Sequence, residues 1–425
     1  MDNNVFGTTL QVNNIIANGV LKFGLDVERE IHKTRGISLI EQRDNIVLSP
    51  TSLVAILAIV LAGSAGRTFD EASKVLGLEA GIDIARNSEI VHQMFGLLLS
   101  QLQNKDSASQ QGSLLLPQLN FATAAYVKLK TKLDFSLSKE VYQTDVFNVD
   151  FARNGKGAEE MINMWVQQKT KGKITNILNE VPGAETAMIL LSALYFNGEW
   201  DQYFFDRATR RPFFVEPNET VDVNMMYNGG TFPFYFDKKL GVKILGLPYK
   251  GREVSILKIH NKYKLSNNTI LFQFKISYSI LLRLKLKLTL NAKNETCIIG
   301  FPRMKLSANL NLKPTLIALG LQSLFNPATA DLSLISQSNA ITNMGNRNQT
   351  YVSPQNQIYD DKVEIDITEK GTEAAAATSV VLERDGSQKR FIANRPFIFF
   401  IRHDPSKLVL FWGTINVPTP NYPTT

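Results

Sequence analysis

The stretch that most restricts the fold of this chain is Glu369-Lys370-Gly371-Thr372-Glu373-Ala374-Ala375-Ala376-Ala377-Thr378. By propensity alone, four consecutive alanines favour helix. A period of two gives a different reading. Positions 372, 374, 376, 378, 380 and 382 are Thr, Ala, Ala, Thr, Val and Leu, whereas 373, 375, 377, 379, 381 and 383 are Glu, Ala, Ala, Ser, Val and Glu. Both charges fall on one face. A strand whose other face carries only small or apolar groups can slip between two existing strands of a buried sheet. The competing reading is a small-residue linker or the end of an alanine-rich helix.

The flanking pattern is that of an α+β protein. Residues 11–31 place Ile15, Ile16, Val20, Phe23 and Val27 at helical spacing. Ser49-Pro50 is a helix start, with serine as cap and proline in the first turn. The helix that follows, 51–61, is apolar nearly all round and is expected to be buried. Further helices are expected over 89–104 and over 157–171, the latter with Met161, Met164, Trp165 and Gln168 on one side. Residues 187–196 form an almost continuous apolar run, as expected of a central strand buried on both faces. Other expected strands are 121–129, 211–215, 243–248, 297–301, 362–368, 397–402 and 408–415. Helices come early, strands cluster late and βαβ alternation is missing, which predicts largely antiparallel sheets, and 425 residues fit one large domain or two to three ordinary ones.

Composition narrows the chemistry. One cysteine, Cys297, excludes an intrachain disulfide, and the four histidines (His32, His92, His260, His403) are scattered without metal-ligand spacing. Gly-x-Ser-x-Gly, a phosphate-binding glycine loop and His-Glu-x-x-His are missing, so no enzyme chemistry is expected. No cofactor, nucleic acid or membrane partner is expected either, and no run of about 18 apolar residues occurs. Met1–Gly7 lacks the regions of a signal peptide, which fits a cytosolic chain, an artificial start or a missing first exon. Four Asn-x-Ser/Thr triplets, at Asn218, Asn267, Asn294 and Asn348, are candidate glycosylation sites.

The net charge of +7 has one source. Val254 to Asn294 contains no Asp or Glu but carries eight basic residues (Lys258, Lys262, Lys264, Lys275, Arg283, Lys285, Lys287 and Lys293). The remaining chain then holds 38 basic and 39 acidic residues, from totals of 46 and 39.

Several motifs occur in a fixed order: Asn45-Ile-Val-Leu-Ser49-Pro50-Thr-Ser52-Leu, Ile162-Asn163-Met-Trp165-Val166, Thr170-Lys-Gly172-Lys-Ile174 and Leu194-Tyr195-Phe196-Asn-Gly198-Glu-Trp200. After them come Glu369-Lys-Gly371-Thr372-Glu373-Ala-Ala-Ala, Asn394-Arg395-Pro396-Phe397 and Leu410-Phe411-Trp412-Gly413. Each is weak alone, but their order over almost the full chain is specific. The chain resembles a serpin, a serine protease inhibitor, and its 360–415 region is most like insect inhibitory serpins.

The resemblance implies three β-sheets with about nine helices and an exposed reactive-centre loop, here 369–393. It implies a monomer whose loop is cleaved by a target serine protease. The loop then enters the main sheet as a new central strand while the protease stays covalently attached. Glu369, Gly371, Thr372, Glu373, Ala374, Ala375, Ala376, Ala377 and Thr378 match the hinge. An inward Arg or Pro there would block insertion, and none occurs through Leu382. Counting fifteen residues from Gly371 inclusive reaches Asp385, followed by Gly386. Arg384 is the alternative and suits a trypsin-like protease, whose primary pocket carries a carboxylate. Asp385 suits a caspase-type target, and Lys389 or Arg390 remain further choices.

Ser49, Ser52, Ser192, Trp200 and Asp361 match the positions that control sheet opening. Ser192 stands where the family usually has Asn and Asp361 where it usually has His; a Ser–Asp pair can still bond, so sheet opening is altered rather than excluded. The larger departure is 259–290, whose Lys, Asn, Ile, Leu and Phe dominance resembles translated noncoding sequence. It reads as a mis-spliced insert that interrupts a sheet core, or as a heparin-like polyanion site with alternating Leu and Lys at 282–289. The resemblance implies a single domain spanning 1–425 and favours an extracellular inhibitor in insect immunity. A non-inhibitory carrier or chaperone and a defective product remain alternatives.

Overall fold

The computed structural model describes residues 3–34, 44–77, 84–102, 116–129, 136–206, 208–216, 218–261, 293–309, 312–326, 328–334, 355–358, 362–372 and 389–422. Ser49 and Pro50 set the first buried helix as their chemistry requires. The Ser49 hydroxyl accepts the Ser52 N–H at 3.3 Å and Pro50 opens helix α2, Pro50–Gly63. Every residue of α2 except Ala62 is buried, as an all-round apolar helix must be. The other helices are α1 (Asn3–Thr34), α3 (Gly66–Val75), α4 (Ile84–Ser100), α5 (Ser136–Tyr142), α6 (Gly155–Lys169) and α7 (Leu312–Leu319). Seven α-helices and one 3-10 turn are thus found among the described residues, against the nine or so expected. Helix α1 runs on to Thr34, past the 11–31 stretch of helical spacing.

Among the described residues sixteen strands form three sheets. The largest contains β1 (Ile46–Leu48), β5 (Thr209–Glu216), β6 (Glu219–Asp237), β7 (Val242–Pro248), β8 (Val254–Asn261), β9 (Lys293–Pro302), β14 (Lys389–Ile392), β15 (Phe397–His403) and β16 (Val409–Ile415). Its order is β1-β16-β15-β8-β7-β6-β9-β14, with β5 also on β6. A second sheet orders β11 (Gln355–Ile358), β4 (Thr186–Glu199), β2 (Gln118–Lys128) and β3 (Asp145–Val149), with the short β13 (Gly371–Thr372) also on β4. The third pairs β10 (Met304–Asn309) with β12 (Lys362–Ile367). Most pairings are antiparallel, as expected, but β2–β3, β4–β11 and β9–β14 are parallel.

Strand β4 is the centre of the argument. Its even-numbered residues Met188, Leu190, Leu194 and Phe196 join the main core. Its odd-numbered residues Ile189, Leu191 and Ala193 pack with Ile162, Trp165 and Val166 of α6 in a second core. One run of apolar residues therefore serves two layers. The expected face of α6 needs correcting. Trp165 is buried, but Met161 and Met164 are exposed and Ile162 and Val166 take their place.

The segment expected to interrupt the sheet core begins inside it. Ile259 is buried and pairs with Ile244 on β7 and Ile398 on β15, and pairing to β7 continues through Asn261. The sheet is therefore continuous over 259–261, and residues 262–290 lie outside the described residues.

Candidate functional site: the hinge turn at the head of strand β4

Strand β12 ends at Ile367, and the chain reverses over Thr368–Gly371. Thr368 N–H donates to the Gly371 carbonyl at 2.9 Å, and Gly371 N–H returns a bond to the Thr368 carbonyl at 3.3 Å. The reversal delivers Gly371 and Thr372 to β4, antiparallel, opposite Glu199 and Gly198. Gly371 has φ of +151°. A Cβ there would lie 2.1 Å from the Gly198 carbonyl oxygen and 2.7 Å from Glu199 Cα. Both the backbone angle and the close approach require glycine.

Trp200 fixes the turn from the β4 side. It is 1% exposed, stacks on Tyr249 at 4.4 Å between ring centroids and donates its indole N–H to the Thr368 carbonyl at 2.9 Å. Its backbone N–H donates to the Lys370 carbonyl, and that of Phe204 to the Glu369 carbonyl, each at 2.9 Å. Three successive carbonyls of the turn thus have donors from 200–204. The carboxylate of Glu369 points inward to Arg303, with Nη1 to Oε2 at 2.8 Å and both side chains almost fully covered. Tyr422 stacks against Arg303, ring centroid to guanidinium 5.3 Å, and donates its hydroxyl to Asp366 at 2.8 Å.

Glu199, the backbone partner of Gly371, is itself held. Its carboxylate accepts Lys250 Nζ at 2.7 Å and the Tyr203 hydroxyl. Partial burial pushes the Glu199 carboxyl up, but the bonds from Lys250 and Tyr203 outweigh it and hold the group below its ordinary range.

Ser49 and Ser52 lie on α2, which packs against β4, and their hydroxyls bond at 2.9 Å in the interior. Ser192 is buried on β4, and its hydroxyl has no hydrogen-bond partner among the described residues. Asp361, the expected partner of Ser192, lies outside the described residues, as do Glu373 to Gly386 with the candidate bonds at Arg384 and Asp385. The chain is described again from Lys389, where β14 joins β9 in parallel. Asn218 and Asn294 are exposed, while Asn267 and Asn348 lie outside the described residues.

The structure therefore brings together Trp200, Glu369, Gly371 and Thr372. Sequence reasoning missed Arg303, Glu199, Tyr203 and Lys250 as members of the site. Arg303 follows Phe301-Pro302 directly, and nothing in that local sequence marks it as the partner of Glu369. Among the described residues no group of His, Cys, Asp and Glu could hold a metal ion, and no helix is long and apolar enough to cross a membrane.

Comparison with known proteins agrees with this geometry. A family model described as "Serpin (serine protease inhibitor)" matches residues 18–418. Serine protease inhibitor 28Dc of Drosophila melanogaster is 32% identical over 88% of this chain and 75% of its own length. Leukocyte elastase inhibitor of Sus scrofa is 31% identical over 93% of this chain and 98% of its own. Among solved structures, a tumour-suppressing serpin superposes with a TM-score of 0.77 at 21% identity, covering 96% of this chain and 100% of that one. Uncleaved ovalbumin gives 0.75 at 24% identity, covering 95% and 100%. The expected three-sheet α+β class is therefore the observed one, and the chain belongs to the serpin family of serine protease inhibitors.

Proposed function

We propose that this chain is a suicide-substrate inhibitor of a trypsin-like serine protease, cleaved after Arg384, whose cleaved loop enters the sheet beside β4. The observation that carries this reading is the register of β13. Gly371 opposite Glu199 and Thr372 opposite Gly198 are the first two pairs of an antiparallel strand on the free edge of β4. From Leu191 to Asn197 that edge has no strand partner among the described residues.

Continuing the same register sets Ala374 opposite Phe196, Ala376 opposite Leu194 and Thr378 opposite Ser192. Directly opposed residues share a face. The small even-numbered residues of the loop then face the main core, and Glu373 and Glu383 fall on the face of α6. Thr378 brings a hydroxyl to the unpartnered one of Ser192. Arg384 arrives opposite Thr186, the first residue of β4. Over Thr186–Leu190 the same edge is held by β11, so full insertion parts those two strands.

In the chemistry proposed, the protease serine attacks the Arg384 carbonyl carbon. An acyl ester forms, the amide bond breaks, and the amine of Asp385 leaves with a proton. Insertion begun before deacylation carries the protease away from the loop's first position. Incubation with trypsin tests this. An SDS-stable species heavier than the 47.6 kDa chain, with a released peptide starting at Asp385, is the expected result. Cleavage at Arg384 without that species overturns the inhibitory reading in favour of a non-inhibitory carrier, chaperone or defective product. The sequence Leu382-Glu383-Arg384-Asp385-Gly386, with a small residue after the aspartate, supports a second reading. There a caspase-type protease cleaves after Asp385, and the released peptide starts at Gly386.

We further propose extracellular placement, supported by the exposure of Asn218 and Asn294. A mass loss on enzymatic deglycosylation of the native protein tests it.

A further inference from the structure

We propose that Lys243, Lys293 and Lys389, gathered where the loop rejoins the body, dock an acidic surface of the target protease beside its primed-side cleft. This rests on the inhibitory reading above and adds a determinant of target choice.

Three strands contribute. Lys389 of β14 reaches Glu295 at 2.6 Å and lies 5.6 Å over the ring of Phe234. Phe234 on β6 pairs directly with Lys293 of β9. Lys243 of β7 donates its ammonium to the Arg390 carbonyl at 2.8 Å. The thiol of Cys297, a residue paired with Lys389 across β9 and β14, lies within reach of two of these charges. Burial pushes it up to about 11, while the charges of Lys389 and Lys243 pull it down and that of Glu295 pushes it up. Lys293 and Lys389 are exposed, Lys243 is half-buried, and Glu295 offsets one of the three positive charges.

Position supplies the partner. From Asp385 to Lys389 the chain spans four residues, at most about 14 Å when extended. A protease engaged on the 384–385 bond must therefore overlie this cluster. The intervening Gly386, Ser387 and Gln388 carry no charge, so beyond Asp385 itself the next charges met on the primed side are these lysines. Fixed cations at that place attract an acidic protease face and repel a basic one, and the effect acts on association rate.

Two trypsins of the same cleavage specificity and opposite surface charge, anionic and cationic, read this out. The variants are Lys293→Glu alone and Lys293→Glu with Lys243→Gln, which leave the loop unchanged. Association of anionic trypsin with the wild-type chain at low salt is expected to be about tenfold faster than with either variant. Cationic trypsin should show no such loss. The difference should vanish in 1 M salt, where the screening length is about 3 Å. Equal rates for wild type and variants with anionic trypsin overturn the proposal. So does a loss that is the same for both trypsins and insensitive to salt, which marks a folding defect. A difference that appears only when heparin is added assigns the lysines to a sulfated polysaccharide and likewise overturns it. Failure of the wild-type chain to form an SDS-stable complex with either trypsin instead removes the inhibitory reading itself.

Discussion

Arg303 and Glu369, 66 residues apart in sequence, meet at 2.8 Å in the interior, beside the Thr368–Gly371 turn. Only one oxygen of the carboxylate is matched, and Glu369 Oε1 and Arg303 Nε have no hydrogen-bond partner among the described residues. Removing one member leaves the other charge buried, at a loss of about 3–5 kcal/mol. Glu369→Ala and Arg303→Ala should each lower the denaturation midpoint sharply. Glu369→Ala combined with Arg303→Ala should cost far less than the sum of the two single losses. Additive single effects in this double-mutant cycle would show that the pair is not coupled.

Gly371 is predicted to tolerate no side chain. Gly371→Ala places a Cβ against the Gly198 carbonyl and should push β13 off β4. The expected outcome is a higher stoichiometry of inhibition with trypsin, because more cleaved loops escape before insertion begins. An unchanged stoichiometry would count against the β13 register as the starting point.

Glu28 should make stability fall as pH rises. The residue sits on α1 against β16, and its enclosed carboxylate accepts from Trp412 at 3.0 Å and from Thr414. Burial pushes the group up to about 7, against the smaller opposing pull of the two donors. Between about pH 4.5 and 7 the unfolded chain releases this proton while the folded chain keeps it. The stabilisation is therefore full below the unfolded value and is lost as pH rises through about 7. Glu28→Gln should flatten this slope, which amounts to about 2–3 kcal/mol for the wild type. Urea titrations at pH 5 and pH 8 measure it, and an identical slope in the variant would contradict the assignment.

Glu71 has the opposite sign. Its carboxylate accepts from Ser323 N–H and Oγ, both at 2.7 Å, from Gln322 N–H at 2.8 Å and from Arg67. Burial pushes it up, but these four donors together bring it down to about 2. Its stabilisation is present above about pH 4.5 and is lost as pH falls toward 2. Glu71→Ala leaves the Ser323 and Gln322 donors without their acceptor and should cost about 1–3 kcal/mol at neutral pH. Thermal melts at pH 7 and pH 3 check both the magnitude and its decline in acid.

The parity over 372–382 is a local signal of small residues at period two, and of that run only Thr372 lies among the described residues. The α2 cap and the buried run of β4 were legible for the same local reason. The ion pair under the hinge was not, because Arg303 and Glu369 are joined only by tertiary folding. The contact of Glu199 with Lys250 and Tyr203 bridges β4 to the turn after β7 and is equally silent in sequence. On α6, hydrophobicity alone misled. Met161 and Met164 are exposed while Ile162 and Val166 face the second core, since a flexible thioether tolerates water better than its hydropathy suggests. The 19-residue β6 was hidden by Gly229, Gly230 and Pro233, which read as breakers although each lies opposite a β9 residue.

The account stands most directly on whether the cleaved loop enters the sheet beside β4. Melting the intact chain and the same chain after limited cleavage at Arg384, under identical conditions, measures this. Insertion fills the open edge from Leu191 to Asn197, so the cleaved protein should melt far above the intact one. Ala376→Arg, on the core-facing side of the loop, should abolish the rise. A cleaved wild-type protein that melts at or below the intact temperature would contradict insertion.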